Sequence, residues 1–87
     1  MLYKLYSAVH RCPPCRALVA SLDIDFPEWR DYIEYVNADD MSEEQRELGY
    51  KVGVFSLPSI VDDEKILFKG YRSGMVDQIK EICLTKE

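Results

Sequence analysis

Cys12-Pro13-Pro14-Cys15-Arg16-Ala17-Leu18-Val19-Ala20-Ser21-Leu22 is the stretch that decides the fold. Cys15, Leu18, Val19 and Leu22 stand at i, i+3, i+4 and i+7, which places them on one helix face, while Arg16 and Ser21 can face water. Proline suits the first turn of a helix, where its fixed φ is helical and its missing amide has no intrahelical partner to lose. Cys12 therefore reads as the N-cap, Pro13 as N1, Pro14 as N2 and Cys15 as N3. The helix ends near residues 23–26, ahead of Pro27.

An N-cap side chain accepts from the N2 or N3 amide, and Pro14 has no amide, so the Cys12 sulfur turns to the amide of Cys15. The helix dipole adds partial positive charge at the same point and favours thiolate over thiol. Arg11, Arg16 and His10 add cationic charge nearby in sequence. Cys12 is thus expected to be an activated nucleophile with a pKa of about 4 to 7, within the range of such helix-start thiols. Cys15 points back along the apolar face and keeps its proton until a mixed disulfide forms on Cys12, which it then attacks.

Outward from this helix, residues 2–6 are apolar and aromatic and read as a strand, followed by a polar loop over 7–11. Tyr32-Ile33-Glu34-Tyr35-Val36 reads as a second strand, closed by the polar cluster Asn37-Ala38-Asp39-Asp40. Ser42-Glu43-Glu44-Gln45 matches a capping box, so a second helix runs to about Tyr50 with Gly49 or Gly53 near its stop. The carboxylates around it suit its first turn. After Val54-Phe55-Ser56-Leu57-Pro58, strands at 59–61 and 66–68 flank the turn Asp62-Asp63-Glu64 and form an antiparallel hairpin. Gly70 and Gly74 bracket a loop, and Met75, Val76, Ile79, Ile82 and Cys83 recur at helical spacing to the end. The order is β-α-β-α-β-β-α: one α/β domain over residues 1–87, with a mixed four-stranded sheet flanked by three helices.

Eleven Lys and Arg against sixteen Asp and Glu give a net charge of −5, without the basic footprint of a nucleic-acid or anionic-membrane binder. No apolar run approaches the roughly 18 to 20 residues of a membrane span. Met1-Leu2-Tyr3-Lys4-Leu5-Tyr6 has no signal-peptide pattern, so a cytoplasmic protein is expected; separately, a monomer is expected. Three cysteines are an odd set, and two of them sit three residues apart, which points to thiol chemistry rather than a disulfide scaffold.

A second use of CxxC is as half of a metal site. Zinc takes four ligands, and His10, Cys12, Cys15 and Cys83 are of the right type; an iron-sulfur module would draw on the same cysteines. Against this, Cys83 lies on the apolar stripe of the last helix, where cysteine behaves as a small hydrophobe. His10 and Arg72 also read as solvated charges, and Trp29 and Tyr71 either meet a partner or cover the sheet.

A strand, CxxC opening a helix, then a late hydrophobic-Pro step before a β-hairpin and a closing helix resembles the thioredoxin fold across nearly the whole chain. Within that fold it resembles the small glutaredoxins and the glutaredoxin-like NrdH redoxins. It implies a dithiol-disulfide oxidoreductase with Cys12 attacking and Cys15 resolving. It also implies a cis Pro58 facing the CxxC, with Leu57 and Pro58 shaping the docking groove for substrate. Gly70-Tyr71-Arg72-Ser73-Gly74-Met75 resembles the Gly-Phe-Arg stretch of NrdH redoxins, and His10-Arg11-Cys12 resembles small phage-type glutaredoxins. Tyr71 and the positive rim Arg11, Arg16 and Arg72 are then candidate substrate contacts. Ser56-Leu57-Pro58 stands where glutaredoxins proper tend to have Thr-Val-Pro, and their double glycine is missing. Tyr6 lies near the position of the buried aspartate of thioredoxins. No tightly bound cofactor is implied. Electrons would come from glutathione or a thioredoxin reductase and pass to disulfide-containing proteins, with ribonucleotide reductase the partner the family suggests.

Overall fold

Tyr3–Ser7 forms β1, and the alternation along it assigns the two sides of the sheet. Tyr3 and Leu5 enter a large apolar cluster on one side, whereas Tyr6 enters a small one on the other. The computed structural model describes residues 3–8, 10, 12–53, 56–62 and 65–85. Within them β1 pairs in parallel with β2 (Ile33–Asn37), Leu5 opposite Tyr35. It pairs antiparallel with β3 (Ser59–Val61), Leu5 opposite Ile60, and β3 pairs antiparallel with β4 (Ile66–Lys69). The order is β2-β1-β3-β4. A parallel pair needs a crossover, and α1 (Pro13–Asp25) supplies it; α2 (Glu43–Val52) and α3 (Met75–Thr85) complete a thioredoxin-like arrangement.

Leu18 and Leu22 of α1 join Met75, Val76, Ile79 and Cys83 of α3 over Tyr3, Leu5, Ile33, Ile60 and Phe68. On the opposite side Tyr6, Val36 and Val61 meet the half-buried Met41, Leu57 and Ile66. There Gly49 of α2 sits against the Tyr6 ring, so close that an added Cβ would lie 3.3 Å from a ring carbon. Two helices therefore cover one face and one helix covers the other.

The structure adds one element and moves several boundaries. Pro27–Asp31 forms a 3-10 helix, for which the sequence carried no helical period. Its purpose in the packing is clear from Trp29, which is fully buried and donates Nε1–H to Asp23 Oδ1 at 2.8 Å. Tyr32 ends that turn by donating its amide to the Trp29 carbonyl, so β2 begins at Ile33 instead of Tyr32. β1 extends to Ser7, while Leu2 lies outside the described residues. Gly49 is internal to α2, and Gly53, at φ +93°, caps it in the left-handed region. In the hairpin turn Asp62 and Lys65 exchange two hydrogen bonds of 2.9 and 3.0 Å, and Asp63 and Glu64 lie outside the described residues. Among the described residues no helix is long and apolar enough to cross a membrane.

Candidate functional site

Cys12 adopts the extended backbone of an N-cap, φ −127° and ψ 100°, and its Sγ accepts from the Cys15 amide at 3.3 Å. Its carbonyl takes the first helical bond, from the Arg16 amide at 3.1 Å. With Pro13 and Pro14 at N1 and N2, the Cys15 N–H is the donor this helix start turns to the sulfur. No acidic residue stands in the first turn to offset the dipole. Cys12 and Cys15 form a disulfide with their Cα atoms 5.2 Å apart. Cys12 is half-buried, whereas Cys15 is fully buried on the face of Leu18 and Leu22. One sulfur of the pair is thus reachable and the other shielded.

Across from Cys12, the Leu57-Pro58 bond is cis and the Leu57 carbonyl oxygen lies 4.0 Å from Cys12 Sγ. A disulfide sulfur has no proton to donate, so this is a contact in the oxidised state and becomes a donor-acceptor pair only when Cys12 is a thiol. Pro58 is buried and its carbonyl accepts from the Gly70 amide at 2.7 Å. Ser59, 1% exposed, donates its hydroxyl to the Ser56 carbonyl at 2.6 Å.

No protein-family model matches the chain, and no curated protein does.

Of the expected site residues, Cys12, Cys15, Leu57 and Pro58 come together. Arg16 is exposed on α1, one residue past Cys15, and Arg11 lies outside the described residues. Arg72 is exposed, with its amide donating to Met75 Sδ at 3.2 Å as the chain enters α3. Tyr71 reaches α1 at another level: its hydroxyl shares a 3.1 Å hydrogen bond with Ser21 Oγ. Ser21 is nine residues beyond Cys12, about 13 Å along the helix axis, so Tyr71 serves as a tie between that loop and α1.

Cys83 is a core residue, 2% exposed, and burial pushes its thiol up to about 11. Among the described residues no three His, Cys, Asp or Glu side chains are grouped to hold a metal ion, so His10, Cys12, Cys15 and Cys83 do not assemble as a four-ligand set. Sequence reading placed Ser59 only in a strand and Gly70 only in a loop, not at the site. The one available signal was a serine opening an otherwise β-branched strand directly after Pro58, the residue that cannot donate an amide.

Proposed function

We propose that this chain is a dithiol-disulfide oxidoreductase of the glutaredoxin and NrdH-redoxin kind, reducing protein disulfides through Cys12 and Cys15. The observation that carries this reading is the N-cap sulfur: Cys12 Sγ accepts the Cys15 amide at a helix start with no carboxylate in its first turn, in a pair that closes to a disulfide. In the reduced protein the Cys12 thiolate attacks a substrate disulfide, forming a mixed disulfide and expelling the first substrate sulfur as a thiolate that takes a proton. Cys15 then loses its proton and attacks Cys12 Sγ, closing the Cys12–Cys15 disulfide and releasing the second substrate thiolate. Two electrons pass to the substrate, and an external thiol or dithiol reductant must restore the pair. Such cycling suits a reducing, cytoplasmic setting.

The test is reduction of insulin disulfides coupled to NADPH, run once through thioredoxin reductase and once through glutathione with its reductase. Turnover with one donor identifies it. Cys15→Ser should accumulate a mixed disulfide on Cys12, and an oxidised ribonucleotide reductase is the first specific substrate to try. No turnover with either donor, together with no trapped adduct, overturns the reading.

A further inference from the structure

The cis Leu57-Pro58 step stands in a short segment whose two ends are tied to the sheet by different atoms. On one side, the Pro58 carbonyl is held by the Gly70 amide at 2.7 Å as a continuation of the β3–β4 ladder. On the other, the tie is a side chain: Ser59 Oγ–H reaches back over Leu57 and Pro58 to the Ser56 carbonyl at 2.6 Å. Ser59 is itself anchored, paired with Tyr6 on β1 and with Lys69 on β4. A β-branched apolar residue is the ordinary occupant of such a buried strand position, and a buried hydroxyl is tolerated only with a partner. The partner here lies in the segment that faces the cysteine pair, and the Leu57 carbonyl within that segment approaches Cys12 Sγ to 4.0 Å.

We infer that Ser59 is a positioning residue for disulfide exchange: its hydroxyl holds the Leu57 main chain against Cys12 Sγ. This rests on the oxidoreductase reading above. Two consequences separate it from a merely structural role. A carbonyl oxygen beside Cys12 Sγ accepts from the thiol and presents its negative end to the thiolate, so it favours the protonated form. Releasing the carbonyl therefore lowers the Cys12 pKa, although it removes a hydrogen bond. A large disulfide substrate also has to settle against the Leu57 main chain, while a small one needs only the sulfur.

The experiment uses Ser59→Ala and the near-isosteric pair Ser59→Thr and Ser59→Val, which differ in the hydroxyl. Each is checked for cooperative unfolding and then assayed for insulin reduction, for reduction of a small aromatic disulfide, and for Cys12 alkylation against pH by peptide mass spectrometry. Ser59→Ala and Ser59→Val should lose about tenfold in kcat/KM for insulin, the worth of roughly one positioned hydrogen bond. Both should keep the small-disulfide rate within about twofold and move the Cys12 midpoint down by about half a pH unit. Ser59→Thr should restore all three. Should Ser59→Thr and Ser59→Val behave alike, or all activities fall together with an unmoved midpoint, Ser59 is only a structural residue. A wild-type protein inert toward both substrates would instead overturn the oxidoreductase reading itself.

Discussion

Two helices in this chain begin with the same bond and use it differently. At α1 the N-cap Cys12 accepts from the N3 amide at 3.3 Å, and at α2 the N-cap Ser42 accepts from its N3 amide, that of Gln45, at 3.2 Å. Around Ser42 everything serves the helix. Gln45 Oε1 takes the Ser42 amide at 3.0 Å to close the capping box, and Glu43 and Glu44 meet the dipole with negative charge. Around Cys12 those devices are absent: two prolines fill N1 and N2, the first turn has no carboxylate, and N3 is the second cysteine. The positive end of α1 is left to the sulfur, the one cap atom of the two that can ionise near neutral pH and exchange bonds.

Replacing the atom should therefore separate the two uses, with the largest effect of any single substitution here. Cys12→Ser keeps an N-cap of a preferred type and removes the proposed nucleophile. Insulin reduction should fall to the uncatalysed rate. The melting temperature should stay within about 5 °C of the reduced wild type, since capping energies near 1 kcal/mol move a domain of this size by about that much. A fall well beyond that would mean that Cys12 carries packing for which a cap atom cannot substitute, and the likeness of the two helix starts would be superficial.

Both caps were legible because capping is local: residue type, a three-residue offset and proline's lost amide suffice to place Cys12 on Cys15 and Ser42 on Gln45. The β-α-β-α-β-β-α order followed from periodicity in the same way, and parallel β1–β2 pairing follows once a helix separates the strands. What depended on distant partners was not legible. Trp29 lies in a 3-10 turn too short to show a period, and its burial is fixed by Asp23 and the cluster over the sheet. Ser59 reads as an ordinary strand residue until Ser56 folds back over Pro58. Tyr71 belongs to the Gly70–Met75 stretch that suggested a substrate contact, yet it bonds to Ser21, because the loop meets α1 about two turns away from the thiols.

The third sulfur shows what happens to a thiol with no helix start to stabilise its charge. Burial lifts the Cys83 thiol to about 11, the direction opposite to that expected of Cys12. The folded protein holds this proton more tightly than the unfolded chain does. Stability from the neutral thiol is therefore complete below about pH 9 and is lost as pH rises toward 11, levelling off above it. The loss is on the order of 3 kcal/mol. Denaturant unfolding of the oxidised protein, in which Cys12 and Cys15 cannot titrate, should show this decline, and Cys83→Ala should show less of it. Tyr6, whose hydroxyl pKa burial also raises, titrates in both proteins and cancels in the difference; Tyr3 is raised first by burial, which cancels likewise, and then by the Cys83 charge, a part that disappears with the thiol and belongs to the Cys83 effect. An equal decline in both would remove Cys83 from the contrast.

The subtlest test transplants the sulfur. Ser42→Cys, in a chain already carrying Cys12→Ser and Cys15→Ser, places a thiol over the Gln45 amide at the start of α2, with buried Cys83 as the remaining cysteine. The N3 bond and dipole should pull its alkylation midpoint below the 8.5 of a free cysteine. Glu43 and Glu44 should hold it above that of Cys12 in the reduced wild type, by about half to one and a half pH units if each carboxylate contributes about 0.3 to 1 kcal/mol of repulsion. These groups are exposed, so added salt should narrow the gap, and Glu43→Gln with Glu44→Gln should close most of it. If the two midpoints already coincide without those changes, the N-cap bond and the dipole alone set the acidity of Cys12, and the missing carboxylates of α1 have no part in it.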